Sequence, residues 1–299
     1  MVFVRKRQIK GKTYFYLEHT TKVRGKSVKK ERYLGKRVPK DIAKIKAEFL
    51  NEIYGERWFG KLGQIKKAFS REYATMPLAG KEKYLENFMI KFTYNTNKIE
   101  GGTLTLKETA DLLEKGITPR KQIKDIKEAE AHKRVFYAML GHRKDLNLRL
   151  VLYWHKLLFE GSQPEIAGKI RTHQVAIARS KFVPPMPVEL DILLKEFFDW
   201  YNKARNKLNS VELAAFVHLK FVTVHPFTDG NGRISRLMMN FVLHKHGWPM
   251  LDISYANRSS YYTALERAQI KRIDHIFVQY FIKRYLKEYQ KYLKNKAKT

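Results

Sequence analysis

Cysteine is absent from the 299 residues, which excludes disulfide scaffolds, thiolate zinc sites and cysteine nucleophiles together. Also absent is any apolar run near the roughly 18 residues needed to span a bilayer, so no membrane partner is expected. The opening MVFVRKRQIK has no apolar stretch after its charges and does not read as a secretory signal. A cytoplasmic protein is the expectation. Acidic residues are scarce, with 29 Asp and Glu against 60 Lys and Arg, giving a formal net charge of +31.

That excess has two readings. Lys and Arg that neutralise phosphates release counterions, so a polyanion such as nucleic acid is one candidate partner. A thermophile's Lys-rich surface produces the same count and says nothing of partners. The first 40 residues hold fourteen Lys or Arg against Glu18 and Glu31 alone, so a nucleic-acid role, if present, belongs to the basic N-terminus.

What is present otherwise is a globular composition, 44% hydrophobic and 13% aromatic. Three β-rich runs, VFVRKRQI, TYFYLEHTTKV and SVKKERYLG, are separated by KGK and RGK and predict an antiparallel meander over residues 1–38. From Pro39 the apolar spacing turns to three and four and stays helical. Residues 39–84 read as a helical linker region, 85–290 as the main domain and 291–299 as a Lys-rich tail. Thr105 with Glu108 forms a capping box. Between Glu212 and His225 the only charge is Lys220, which predicts a helix buried nearly all round. IRTHQVAIARSKFVPPMPV, residues 170–188, breaks the pattern and reads as a short β-hairpin or extended flap. There is no internal repeat, and a homo-oligomer is left open.

The run VHPFTDGNGRISRLM, residues 224–238, carries the chemistry. Pro226 cannot continue the preceding helix, so His225 sits at its C-terminal lip. Gly230, Asn231 and Gly232 make a turn just before an amphipathic helix whose stripe is Ile234, Leu237, Met238, Phe241 and Val242. Such a turn aims several backbone N–H groups at one point, where the helix dipole also favours an anion. Arg233 and Arg236 can point there as forked donors. Asp229 has the wrong sign for a phosphate unless a divalent cation lies between. His225 is the group that can take a proton near neutral pH. Singly, each part has an ordinary explanation: a structural histidine, a common turn, two surface arginines. Together they suit a triphosphate, Mg²⁺ and a nucleophile to be deprotonated.

HPFTDGNGRISR resembles the Fic-family signature HPFx[DE]GNGRxxR at every defined position. The resemblance implies a mainly α fold, a Fic-type helical bundle with a β-hairpin flap, preceded here by the small N-terminal antiparallel β-meander. It implies transfer of AMP from ATP to a Tyr, Ser or Thr hydroxyl of a target protein, with self-modification possible. His225 would be the general base, Asp229 would hold Mg²⁺, and Gly230, Asn231 and Gly232 would form the anion hole. Arg233 and Arg236 would bind the β- and γ-phosphates. GKIRTHQVAIARSKFVPPMP resembles the family's flap, with Ile177, Ala178, Arg179 and Ser180 lining the nucleotide. RSSYYTALERAQ resembles a later family helix, which would place Tyr261 and Tyr262 near adenine, with Gln269 beside them; core packing is the alternative for each tyrosine.

TNKIEGGTLTLKET, residues 96–109, reads as a helix end at Gly101-Gly102 followed by the next helix's cap. Glu100 lies at the wrong end of that dipole and needs a cationic partner, for which the arginine pair is available. The segment resembles the family's inhibitory motif [ST]xxxE[GN] at Thr96, Glu100 and Gly101, within an inhibitory helix at about 85–102. By that resemblance Glu100 pairs with Arg236 and keeps the γ-phosphate from seating. The resemblance covers about residues 85–290. It leaves removal of AMP, with Glu100 positioning water, as an alternative. A further rival is a nucleic-acid-binding protein acting through residues 1–38. A kinase-like variant is disfavoured because that branch lacks the glycine found at Gly232.

Overall fold

A computed structural model describes residues 2–23, 26–178 and 180–293. It divides into two compact units, Met1–Gly63 and Gln64–Thr299. The first opens with β1 (Phe3–Ile9), β2 (Lys12–Val23) and β3 (Lys26–Gly35), an antiparallel sheet in the order β1-β2-β3. Lys10 and Gly11 join β1 to β2 with φ of +48° and +72°. Positive φ at both turn residues matches the right-handed strand twist and closes a two-residue hairpin. The second expected turn falls on Arg24 and Gly25, outside the described residues. One sheet face buries Leu17, which forms a small core with Val2, Phe49 and Ile53 and packs against Val4 and Leu34. Phe49 and Ile53 come from α1 (Ile42–Thr75).

The second unit is helical: α2 (Leu78–Ile99), α3 (Leu106–Lys115), α4 (Ile123–Gly141), α5 (Leu148–Phe159), α6 (Leu190–Ala204), α7 (Ser210–Val224), α8 (Asn231–Lys245), α9 (Arg258–Lys271) and α10 (His275–Glu288). Local chemistry sets the ends. The capping box at Thr105 forms as expected, with Thr105 N–H donating to Glu108 Oε2 at 2.8 Å and Glu108 N–H to Thr105 Oγ1 at 3.1 Å. Asn147 and Asn209 cap α5 and α7 through their side-chain oxygens.

Helix α7 buries eleven residues, as its near-absence of charge dictates. Helix α8 was expected to bury one stripe; instead twelve of its fifteen residues are buried, Asn231, Arg233, Ser235, Arg236 and Asn240 among them. The polar ones are tolerated because they are bonded. Asn240, for example, donates to Leu251 O at 3.1 Å and accepts from Leu251 N–H at 2.8 Å. The pair α7–α8 is therefore the centre of this unit, joined by the short loop His225–Gly230.

Segment 170–188 is irregular and not a hairpin: no strand occurs among its described residues, and it runs into a 3₁₀ turn at Pro187–Glu189. Pro184, Pro185 and Pro187 have no N–H to give a ladder. The buried Arg171 replaces it, donating to His173 O at 2.9 Å, to Pro185 O at 2.6 Å and to His225 O at 2.9 Å. No described helix is long and apolar enough to cross a membrane.

Candidate active site

His225 caps α7 in the left-handed region, φ +53°, ψ +55°. That conformation costs a non-glycine residue roughly 1–2 kcal/mol and turns the chain sharply out of the helix into Pro226. The His225 Nδ1–H donates to Val222 O at 3.0 Å, which leaves the lone pair on Nε2. Burial pushes the imidazole's pKa below its usual 6.5, against the opposing pull of that carbonyl. The ring is thus neutral near pH 7 with Nε2 able to accept a proton.

The loop that follows is clamped from inside. Asn231 Oδ1 accepts from Phe227 N–H at 2.9 Å and its Nδ2 donates to Phe227 O at 2.7 Å. The Asn231 side chain therefore shapes the turn, while the backbone N–H groups at the start of α8 are left for an anion. Gly230, φ +83°, permits that turn, and a Cβ there would collide with the Phe159 ring. His155 supports it from below: Gly168 N–H donates to Nδ1 at 2.9 Å, so Nε2–H donates to Asp229 O at 3.0 Å. Its ring stacks on Phe227 at 3.8 Å between centroids. Burial drives the His155 pKa down to about 4, so it stays neutral and holds this tautomer.

The two arginines diverge. Arg233, almost fully buried, donates to Asp229 Oδ2 at 3.0 Å and to Glu128 Oε2. Burial raises the Asp229 pKa, but the Arg233 guanidinium and the Gly230 N–H outweigh it and hold the carboxyl below its usual value. Asp229 keeps 41% of its side chain exposed. Arg236 is 1% exposed and bound on every side. Its Nε donates to Thr96 Oγ1 at 2.7 Å, Nη2 to Glu100 Oε1 at 2.6 Å and to Thr96 O at 3.2 Å, and Nη1 to Tyr261 OH at 3.2 Å. The Glu100 carboxylate lies against Gly232, where a Cβ would collide with Oε1. The carboxylate of the residue capping the C-terminus of α2 thus stands over the N-terminus of α8.

The other candidates fall into two groups. Ile177, Ala178 and Ser180 lie on the irregular segment, whose tip is tied to α9: Glu266 Oε1 accepts from Ser180 Oγ at 3.1 Å and from Lys181 N–H at 2.6 Å. Arg179 lies outside the described residues. Tyr261 takes the core-packing alternative: it is buried, and its hydroxyl bonds Arg236 and His218 Nε2, the latter at 2.9 Å. Burial raises its pKa to about 12, so it stays a neutral prop for the guanidinium. The partly exposed Tyr262 donates to Ile99 O at 3.2 Å, and Gln269 donates to Thr223 Oγ1 at 3.2 Å.

Sequence reasoning missed Arg171, Glu128, His155 and Glu266. Two carried a readable signal. His155 interrupts the apolar LRLVLYWHKLLF, and Glu128 adjoins Ala129 and lies near Ala131, residues that α4 buries. Arg171 and Glu266 act on backbone groups of the irregular segment, which no pattern marks.

Residues 145–243 match the sequence profile of the Fic/DOC family. The chain is 35% identical over 210 residues to the protein adenylyltransferase Fic of Nematostella vectensis, covering 68% of this chain and 48% of that protein. It is 34% identical over 209 residues to protein adenylyltransferase fic-1 of Caenorhabditis elegans, covering 68% of this chain and 41% of that one. The chain thus spans about half the length, or less, of these relatives. Among solved structures, a Fic domain-containing signaling protein of Bacteroides thetaiotaomicron superimposes with a TM-score of 0.70 at 26% identity, covering 78% of this chain and 96% of that one. Fic-1 of C. elegans gives 0.70 at 27% identity, covering 82% and 72%.

Proposed function

The chain belongs to the Fic/DOC family, and from that membership we propose that it is a protein adenylyltransferase, moving AMP from ATP to a hydroxyl side chain of a target protein. The observation that carries this reading is His225: its Nδ1–H is committed to Val222 O, so Nε2 is the free base beside an anion-binding helix start. The target hydroxyl gives its proton to Nε2 as its oxygen attacks the α-phosphorus. The bond to the β-phosphate bridging oxygen breaks and pyrophosphate leaves. The backbone N–H groups at Gly230–Gly232, with Arg233 and Arg236, meet the charge on the phosphates.

Mg²⁺ commonly takes one or two carboxylates and completes its shell with phosphate oxygens and water. Asp229, ionised and partly exposed, fits that demand as a single protein ligand. No cluster of three potential ligands occurs among the described residues, so ATP itself would supply the rest. Held there by Asp229, the ion would supply charge neutralisation for the leaving pyrophosphate.

Glu100 makes this site self-restrained in our reading. Its carboxylate occupies the Arg236 fork and crowds Gly232, so the phosphate that needs Arg236 must displace it. The flap at Ile177, Ala178 and Ser180, tethered at Ser180 by Glu266, would border the nucleotide and the target segment. The reading is tested by incubating cell lysate with isotope-labelled ATP and the Glu100→Gly protein. Mass spectrometry should find proteins bearing labelled AMP on Tyr, Ser or Thr, and none with Glu100→Gly/His225→Ala.

A further inference from the structure

The N-terminal sheet has a second face that the small core does not use. Cross-strand partners point to the same side of a sheet. Arg5 pairs with Tyr16 and Arg7 with Tyr14, Tyr16 pairs with Tyr33, and Glu18 pairs with Glu31. These residues therefore share one face, opposite to Val4 and Leu17, which are packed on Phe49. On it Tyr33 stands 5.2 Å from Tyr16 and 6.1 Å from Tyr14 between ring centroids. Tyr33 is 54% exposed. The Arg7 guanidinium lies 4.5 Å over the Tyr16 ring.

Cations share this face with the rings. Lys29 reaches Glu18 and Glu31 at 3.0 and 2.8 Å, Arg7 bonds both carboxylates, and Arg5 lies 3.4 Å from Glu18. Arg5, Arg7 and Lys29 thus stand erect on this face, held by only two acids. Arg5, Arg7 and Lys29 keep 63%, 36% and 49% of their side chains exposed against 12% for Glu18, so the cations form the accessible outer layer and can take phosphate as a further partner. Three neighbouring tyrosines flanked by erect cations offer base stacking and phosphate contacts on one surface. An acidic protein would engage the cations and leave the rings without a purpose. A duplex keeps its bases stacked on one another and would not reach the rings.

We propose that this open face binds single-stranded nucleic acid, with bases stacking on Tyr14, Tyr16 and Tyr33 and phosphates meeting Arg5, Arg7 and Lys29. The role is separate from nucleotidyl transfer, and its failure would leave the proposed activity untouched. It also gives a specific place to part of the fourteen Lys and Arg in the first 40 residues.

The test is fluorescence anisotropy of a short labelled oligo(dT) with the full chain across a salt series. Because a chain of net charge +31 attracts any polyanion, the tyrosines decide the outcome. Tyr33→Ala should weaken binding by at least about fivefold, the lower end of what one stacked base provides, while Tyr33→Phe should bind like the wild type. Arg5→Gln and Lys29→Gln should each flatten the salt slope by about 0.7. Unchanged affinity in Tyr33→Ala would overturn the proposal, as would duplex binding as tight as single-strand binding. Displacement by polyglutamate at matched charge would overturn it in favour of an acidic protein partner.

Discussion

Arg236 Nη2 lies 2.6 Å from Glu100 Oε1, and the same guanidinium is fixed from behind by Thr96 and Tyr261. The fork therefore cannot turn to follow a phosphate, and a nucleotide must compete with Glu100 where it stands. Glu100→Gly removes the competitor and leaves the fork in place. Auto-AMPylation should rise at least about tenfold, equivalent to about 1.4 kcal/mol in the barrier. Arg236→Ala should not reproduce the gain, because it removes the phosphate ligand too. Equal incorporation of labelled AMP by Glu100→Gly and wild type would remove Glu100 as a restraint. If the variant lost only AMP removal from a modified substrate, hydrolysis would become the main reaction.

His225→Ala should lower transfer by about 10²–10⁴-fold, the usual contribution of a general base. Nucleotide affinity should be nearly unchanged, because His225 binds backbone and not the phosphate cradle. Wild-type turnover in a discontinuous transfer assay would take His225 out of the mechanism.

The pH dependence follows from which histidines are buried neutral. His225 must be unprotonated to act, and burial holds its pKa below 6.5. Transfer should therefore be flat through neutrality and fall only on acidification below pH 6.5. Stability should follow the same direction for a different reason. Burial lowers His155 to about 4 and His132 to about 3, from 6.5 in the unfolded chain. Below pH 6.5 the unfolded chain then binds more protons than the folded one, so stability drops as pH falls toward 4. Urea midpoints measured at pH 6.5 and pH 4 should differ in that sense.

Much of this arrangement can be read from the sequence, and the exceptions have a common cause. Pro226 and the Gly230–Gly232 turn fix where α7 stops and α8 starts, because backbone rules act locally. Glu100 at a helix C-terminus demands a cation, which narrows its partner to few residues. The all-round burial of α8 was not legible, because Arg233 and Arg236 look like surface residues until Glu128, Thr96 and Tyr261 are brought to them from distant helices. The role of the Tyr261 hydroxyl was hidden for the same reason: it serves Arg236, a contact made only in three dimensions. Of the two forms expected for residues 170–188, a hairpin or an extended flap, the hairpin does not form, because Arg171 and not a neighbouring strand satisfies the carbonyls of residues 173 and 185.

On the proposed reading that Asp229 holds Mg²⁺, Asp229→Ala should abolish the response of ATP affinity to the ion. Titration of a fluorescent ATP analogue with and without EDTA reads this directly. Affinity that still falls on chelation would place the metal elsewhere.

His155→Phe keeps the stacking on Phe227 but deletes both hydrogen bonds, leaving Asp229 O and Gly168 N–H without their partner. An unsatisfied buried group costs about 1–3 kcal/mol, so the denaturation midpoint should fall correspondingly. Transfer should weaken as well, because the carbonyl of Asp229 anchors the turn that forms the phosphate cradle. Unchanged stability would mean that water replaces the imidazole without cost.

The central claim is that the α-phosphoryl group, with its adenosine, passes to a hydroxyl. It is tested most directly with two ATP samples, one labelled at the α-phosphate and one at the γ-phosphate, each incubated with the Glu100→Gly protein and Mg²⁺. Protein-bound label should appear from the α-labelled sample alone and should vanish when His225→Ala is added to the variant. Label entering from the γ-position, or none entering from the α-position, would contradict the account.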